Sequence, residues 1–94
     1  MTNVSGTNNP AWMDRVGVFP NPTPGKLYVL LPDDLTDSNV QISVNDLTGR
    51  QVLDRPFSRQ KQLTVDLSAY AEGMYTVSIR IDGQQGVWKV VRTR

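Results

Sequence analysis

The sequence predicts an all-β fold, an immunoglobulin-like antiparallel β-sandwich of about seven strands. Three observations predict it. Apolar and polar residues alternate with a period of two in several short runs, which marks strands with one buried face. Proline, glycine, aspartate and asparagine punctuate those runs at the spacing that antiparallel strands need. No helical pattern longer than a single turn occurs, and nothing repeats at the period of about 20–50 residues that solenoids show.

In chain order, residues 1–15 read as a linker, because Met1-Thr2-Asn3-Val4-Ser5-Gly6-Thr7-Asn8-Asn9 is polar and small throughout. Trp12 lies close to this linker and covers either one end of a core or nothing. The domain is assigned to residues 16–94. Its first strand, Val16-Gly17-Val18-Phe19, stops at Pro20-Asn21-Pro22, where two prolines fix φ and donate no hydrogen bond. Phe19 and Asn21 are each pushed toward extended geometry by the proline that follows. The Asn21 side chain is expected to bond backbone groups nearby and stiffen the turn. Two readings of the triplet stand, a rigid turn and a recognition surface.

Residues 26–31 are apolar except Lys26, which predicts a strand covered on both faces or lying under a loop. Pro32-Asp33-Asp34 then signals a turn. Asp33, Asp34, Asp37 and Asn39 offer oxygens to a calcium ion, but the row lacks the glycine and distal glutamate of an EF-hand, so a solvated loop is the favoured reading. Val40-Gln41-Ile42-Ser43-Val44-Asn45 alternates cleanly, and Thr48-Gly49 predicts a hairpin turn into a strand over residues 51–57. Leu63-Thr64-Val65-Asp66-Leu67 alternates as well. After it, Ser68 is expected to cap one helical turn through Glu72, with Gly73 ending that turn in the left-handed region. This segment is read as a crossover between sheets.

Tyr75, Val77, Ile79 and Ile81 face one way along the next strand, with Thr76, Ser78, Arg80 and Asp82 facing the other. Tyr75 stands where a tyrosine corner lies in an immunoglobulin-like sandwich, or is an ordinary core tyrosine. Asp82-Gly83 predicts a second hairpin turn, leading into a last strand over residues 87–92. There Trp88, Val90 and Arg92 share one face and Val87, Lys89 and Val91 the other. Trp88 is read as half-buried at the sandwich edge or as a docking side chain. Lys89, Arg92 and Arg94 either discourage unwanted strand pairing at an edge or are what a receptor reads.

The 94 residues bound one domain, whose folded part buries about 60–65% of the unfolded surface. With 38% hydrophobic and 20% charged residues the composition is that of a globular chain, and a net charge of +1 argues against nucleic acid or simple membrane adsorption. There is no histidine and no cysteine, so Ser-His-Asp, Cys-His and thiolate metal chemistry are excluded. The chain is read as no enzyme and as needing no cofactor. No apolar run approaches the roughly 18–20 residues of a membrane-spanning helix. The start lacks the basic and apolar regions of a signal peptide, so an export signal is expected on a longer parent.

Phe19-Pro20-Asn21-Pro22 with Gly25, Leu27 and Val29; Val44, Asp46, Leu47, Gly49, Arg50 and Val52; Leu67, Gly73, Tyr75, Val77 and Ile79; and Lys89-Val90-Val91 form four blocks in order. Together they resemble the type A carboxy-terminal sorting domain of the Bacteroidetes type IX secretion system. The resemblance covers nearly all of the assigned domain and implies an immunoglobulin-like sandwich that acts as an export signal. It implies delivery of a covalently attached parent protein through the periplasm to an outer-membrane translocon. A sortase-like surface peptidase then removes the domain, leaving the parent on the cell surface or secreted. Carried onto this chain, the recognition residues are Pro20, Asn21, Pro22, Gly73, Tyr75, Lys89, Val90, Val91, Arg92 and Arg94. Many members end on lysine where this chain has Arg92-Thr93-Arg94, and arginine presents a different set of donors. The competing reading is a non-catalytic carbohydrate- or protein-binding sandwich module of a larger secreted enzyme or adhesin. A third is a plain spacer.

Overall fold

The chain forms seven strands, most of them with period-two burial: β1 Gly17–Phe19, β2 Lys26–Leu30, β3 Asn39–Asn45, β4 Gln51–Ser58, β5 Gln62–Asp66, β6 Gly73–Ile81 and β7 Gln84–Arg92. The structure is a computed structural model and describes residues 10–94. The linker reading of residues 1–9 lies outside the described residues. Two antiparallel sheets form, one in the order β1-β2-β5 and one in the order β4-β3-β6-β7. The strand set and the all-β sandwich agree with the sequence reading.

β2, β3, β5, β6 and β7 bury alternate side chains between the sheets, whereas β1 and β4 contain no fully buried residue. Leu27, Val29, Leu31, Leu63, Val65 and Leu67 come from the smaller sheet and its margins. Val40, Ile42, Val44, Tyr75, Val77, Ile79, Ile81 and Val90 come from the larger one. Burying an aliphatic side chain of this kind contributes about 1.5–3 kcal/mol, so this doubled row is the main source of stability. At one end Trp12 is 6% exposed and belongs to the core, carried by a 3-10 turn at Ala11–Arg15. Its indole Nε1 donates to Gln84 Oε1 at 3.1 Å. The packed part of the chain therefore reaches back to Trp12, into the segment that the sequence reading gave to the linker.

Three local expectations are corrected. β2 is covered on one face only: Lys26 and Leu30 are exposed and Tyr28 half-buried. Its alternation is hidden in the sequence because its outward residues, Tyr28 and Leu30, are large and apolar, and Tyr28 stands beside Phe19 with ring centroids 6.0 Å apart. The crossover at residues 67–72 is a single turn and not a helical one. Asp66, not Ser68, organises it, its Oδ1 accepting from the Ser68 N–H at 2.9 Å and from the Ser68 hydroxyl. Gly73 has a positive φ of 147°, but as the first residue of β6.

The hairpin turns follow expectation. Ile81 pairs with Gln84 across Asp82 and Gly83, whose φ values of 52° and 80° are those of a two-residue type I′ turn. β3 and β4 are joined by a longer loop in which Asp46 Oδ1 accepts from the N–H groups of Thr48 and Arg50, both at 3.0 Å. The crossover from β5 to β6 carries the chain between sheets, and Tyr75, on the strand that follows, donates its hydroxyl to the Ala71 carbonyl at 2.6 Å. That bond back to the backbone upstream is the geometry of a tyrosine corner and decides between the two readings of Tyr75.

Candidate functional site

β7 is an outer strand of the four-stranded sheet, and an outer strand leaves every second residue's N–H and C=O without a ladder partner. Asn21 occupies two of those groups. Its Nδ2 donates to the Lys89 carbonyl at 2.9 Å, and its Oδ1 accepts from the Val91 N–H at 3.0 Å. The ladder continues with Thr23, whose N–H donates to the Val91 carbonyl at 2.8 Å and whose carbonyl accepts from the Thr93 N–H at 2.8 Å. Thr23 and Arg92 form a parallel bridge. The segment of residues 21–23 is thus a fragment of an eighth strand, its first member supplied by a side-chain amide in place of a peptide group.

The two prolines limit what this segment can donate. Both Phe19–Pro20 and Asn21–Pro22 bonds are cis. With no N–H on residues 20 and 22, the segment has nothing to donate except at Asn21 and Thr23. The expected local bonding of Asn21 is corrected: its amide reaches residues 68 and 70 positions away. Thr23, which the sequence reading did not single out, is the buried pivot. It is fully buried, its hydroxyl donating to the Lys26 carbonyl at 2.6 Å and accepting from the Gly25 N–H at 3.1 Å. The only hint in the sequence is a hydroxyl residue between two prolines.

The first and last blocks of the motif, distant in sequence, are one structural unit, and the family comparison matches their whole span. The description secretion system C-terminal sorting domain fits residues 17–93. The chain belongs to that family. Among curated protein sequences none matches it. Among solved structures it is similar to a DUF3244 family protein from Bacteroides vulgatus with an immunoglobulin-like β-sandwich fold, at a TM-score of 0.66 and 16% identity, over 84% of this chain and 83% of that one. This sorting domain is a type IX secretion signal, and its fate is export to the outer membrane, cell surface or medium. The family is one of sorting signals and not of catalytic modules.

The remaining residues of interest divide by burial. In the sorting domain Val90 is fully buried and Tyr75 is 5% exposed, so both act by holding the strands in place. Arg92 is pinned: its Nε and Nη2 donate to the carbonyls of Leu67 and Ser68, each at 3.1 Å, and its Nη1 to that of Thr93. It ties the end of β7 to the crossover. Gly73 pairs with Arg92 across the β6–β7 ladder. Arg94 is exposed and reaches Glu72 at 3.0 Å, whereas Lys89 is exposed with no ion-pair partner among the described residues. Hydrogen bonds from Ser68, aided by the charges of Lys26 and Arg92, hold the Asp66 carboxyl below the usual range.

Trp88 is half-buried and lies over Gly86, where an added Cβ would sit 2.9 Å from its Cη2. The ring therefore covers backbone that only glycine leaves free. Asp33 pairs with Lys61 and Asp34 with Arg15, each at 2.9 Å, so two of the three carboxylates considered for calcium face different cations. The Arg15 guanidinium holds Asp34 below the usual carboxylate range. Among the described residues no three His, Cys, Asp or Glu side chains cluster as metal ligands.

Proposed function

We propose that the secretion machinery reads this sorting domain at the composite end where Pro20, Asn21 and Pro22 meet Lys89, Val91 and Arg94. The reader is the outer-membrane translocon, reached after transit through the periplasm. The domain itself performs no chemistry: it is ligand to the translocon and substrate to a sortase-like surface peptidase that cuts ahead of it, releasing a parent attached at its amino-terminal side. It contacts no nucleic acid and inserts into no membrane.

The observation that carries this reading is the Asn21 amide closing on two main-chain groups of the outer edge of β7, which gathers the outer motif blocks into one rigid, cation-bearing surface. Val90, Arg92, Gly73 and Tyr75 belong to the same site as its supports. A rigid surface binds at lower entropic cost than one that must be ordered on contact. The binding-module alternative has less to build on, because Trp12 and Tyr75 are buried and Trp88 is folded onto Gly86.

Exposed side chains test the reading without unfolding the domain, whereas removing residues 89–94 would also remove buried Val90 and the Arg92 bonds. A reporter fused ahead of the full chain is expressed in a host competent for type IX secretion. With Lys89→Ala and Arg94→Ala combined, surface display is expected to drop and the reporter to accumulate in the periplasm. Full display of a folded double variant would overturn the proposal.

A further inference from the structure

Residues 21–23 cover only the carboxyl half of the β7 edge. Val91 turns both of its main-chain groups outward to that segment, and Lys89 turns its carbonyl the same way. In an antiparallel ladder the outward residues alternate, so Gln85 and Val87 have the same orientation as Lys89 and Val91. The partners of β6 are the intervening residues: Trp88 stands opposite Val77 and Gly86 opposite Ile79. Among the described residues nothing bonds the outward N–H and C=O of Gln85 and Val87 or the N–H of Lys89. This open stretch is continuous with the covered one and extends about 14 Å at the usual strand rise.

We infer that the open edge at residues 85–89 is where the translocon adds a strand of its own, an extended segment with an acidic side chain beside Lys89 and an apolar one beside Val87. The inference rests on the reading given under Proposed function and deepens it. Strand addition supplies affinity through main-chain bonds and specificity through alternate side chains. On the outer face Val87 is 43% exposed and stands across from Ser78, and Lys89 stands across from Thr76. The cation therefore has no acidic neighbour on β6 and offers its charge to an incoming strand. Asn21 fixes the register, because its amide blocks the edge at the Lys89 carbonyl and any added strand must end there.

The β5 edge of the smaller sheet lacks these features. β5 turns Gln62, Thr64 and Asp66 outward, but these are polar, and the Asp66 carboxylate is engaged by Ser68. The edges therefore provide an internal control. Val87→Pro removes one outward N–H and no bond to β6, a change that edge strands tolerate. Val87→Thr keeps the N–H, and Thr64→Pro makes the same change on β5.

Each variant of the full chain carries a reporter in a secretion-competent host, with folding checked by thermal unfolding of the purified chain. Val87→Pro is expected to lower surface display about tenfold, the scale of one main-chain hydrogen bond lost with its partner left unsatisfied. Thr64→Pro is expected to display normally, and Val87→Thr, which loses only apolar contact and keeps the N–H, to lose less than Val87→Pro. Normal display by folded Val87→Pro overturns the inference, as does an equal loss with Thr64→Pro. If Lys89→Ala with Arg94→Ala abolishes display while Val87→Pro does not, the composite site stands and the added strand falls. If neither has an effect, both fall. Concentration-dependent dimers in sedimentation that vanish with Val87→Pro would seat a second copy on the edge and overturn the assigned occupant.

Discussion

β4 and β7 are the two outer strands of one sheet, and they are protected by different means. β4 carries most of its protection within its own sequence, with one bond added from the crossover by Tyr70. Pro56 interrupts it with a residue that has no N–H, the Arg55 guanidinium lies 5.3 Å from the centre of the Phe57 ring, and the Tyr70 hydroxyl donates to the Val52 carbonyl at 2.9 Å. Proline and charge at an edge are devices against unwanted pairing. β7 has no proline, and of its two charged residues Arg92 is tied to the crossover, which leaves only Lys89 in that role. Its carboxyl half is closed from outside by residues 21–23, and its amino half stays bare. The difference teaches that one edge is guarded mainly by residues of its own and the other is closed only where residues 21–23 reach it, which leaves the opening that the proposed added strand would use.

Four measurements break or sharpen this contrast. The largest expected effect is at Val90, whose truncation to alanine removes buried methyl groups and should cost about 2 kcal/mol in urea unfolding. Val91→Ala, on the exposed face, should stay within about 0.5 kcal/mol. Next is Asn21→Ala, which deletes both bonds that hold β7 from outside. A loss of about 1–2 kcal/mol is expected, together with faster hydrogen exchange at the Val91 amide; unchanged exchange there would show that the clamp does not protect the edge.

Tyr75→Phe tests the corner beneath the site and should cost about 1 kcal/mol, the scale of one hydrogen bond, with no change of fold. The smallest effect is acid sensitivity. Asp46, which orders the loop leading to β4, is held below its ordinary range by the Thr48 hydroxyl, and Asp66, beside the crossover that Arg92 grips, by Ser68. Because their folded values lie below the unfolded value of about 3.9, these carboxylates contribute stability that is present above that pH and lost as pH falls through the folded values. The unfolding temperature should therefore hold level near neutrality and decline below about pH 4, with a shallower decline in Asp46→Asn and in Asp66→Asn. An equal slope in all three proteins would sink this account.

Much of the fold was legible because period-two burial is a local property. Val40, Ile42 and Val44, or Tyr75, Val77, Ile79 and Ile81, declare their inward face without reference to any other strand. The two hairpin glycines and the crossover between sheets were legible for the same reason. β2 was misread because Tyr28 and Leu30 are apolar yet face outward, and polarity alone cannot separate a half-exposed tyrosine from a core one. The helical turn expected at Ser68 failed because the Asp66 carboxylate competes for the Ser68 donors before a helix can begin.

The sequence by itself determined the strands, their inward faces, the absence of histidine and cysteine chemistry, and the motif blocks that mark a sorting domain. Only the tertiary structure decided that Asn21 serves β7 instead of its own turn, that Thr23 is buried and serves both, and that Arg92 is tied down while Lys89 has no ion-pair partner among the described residues. The physical reason is one of range. Side-chain periodicity is written in neighbouring residues, whereas the hydrogen bonds that close an edge join groups up to 70 positions apart and depend on how distant segments are brought together.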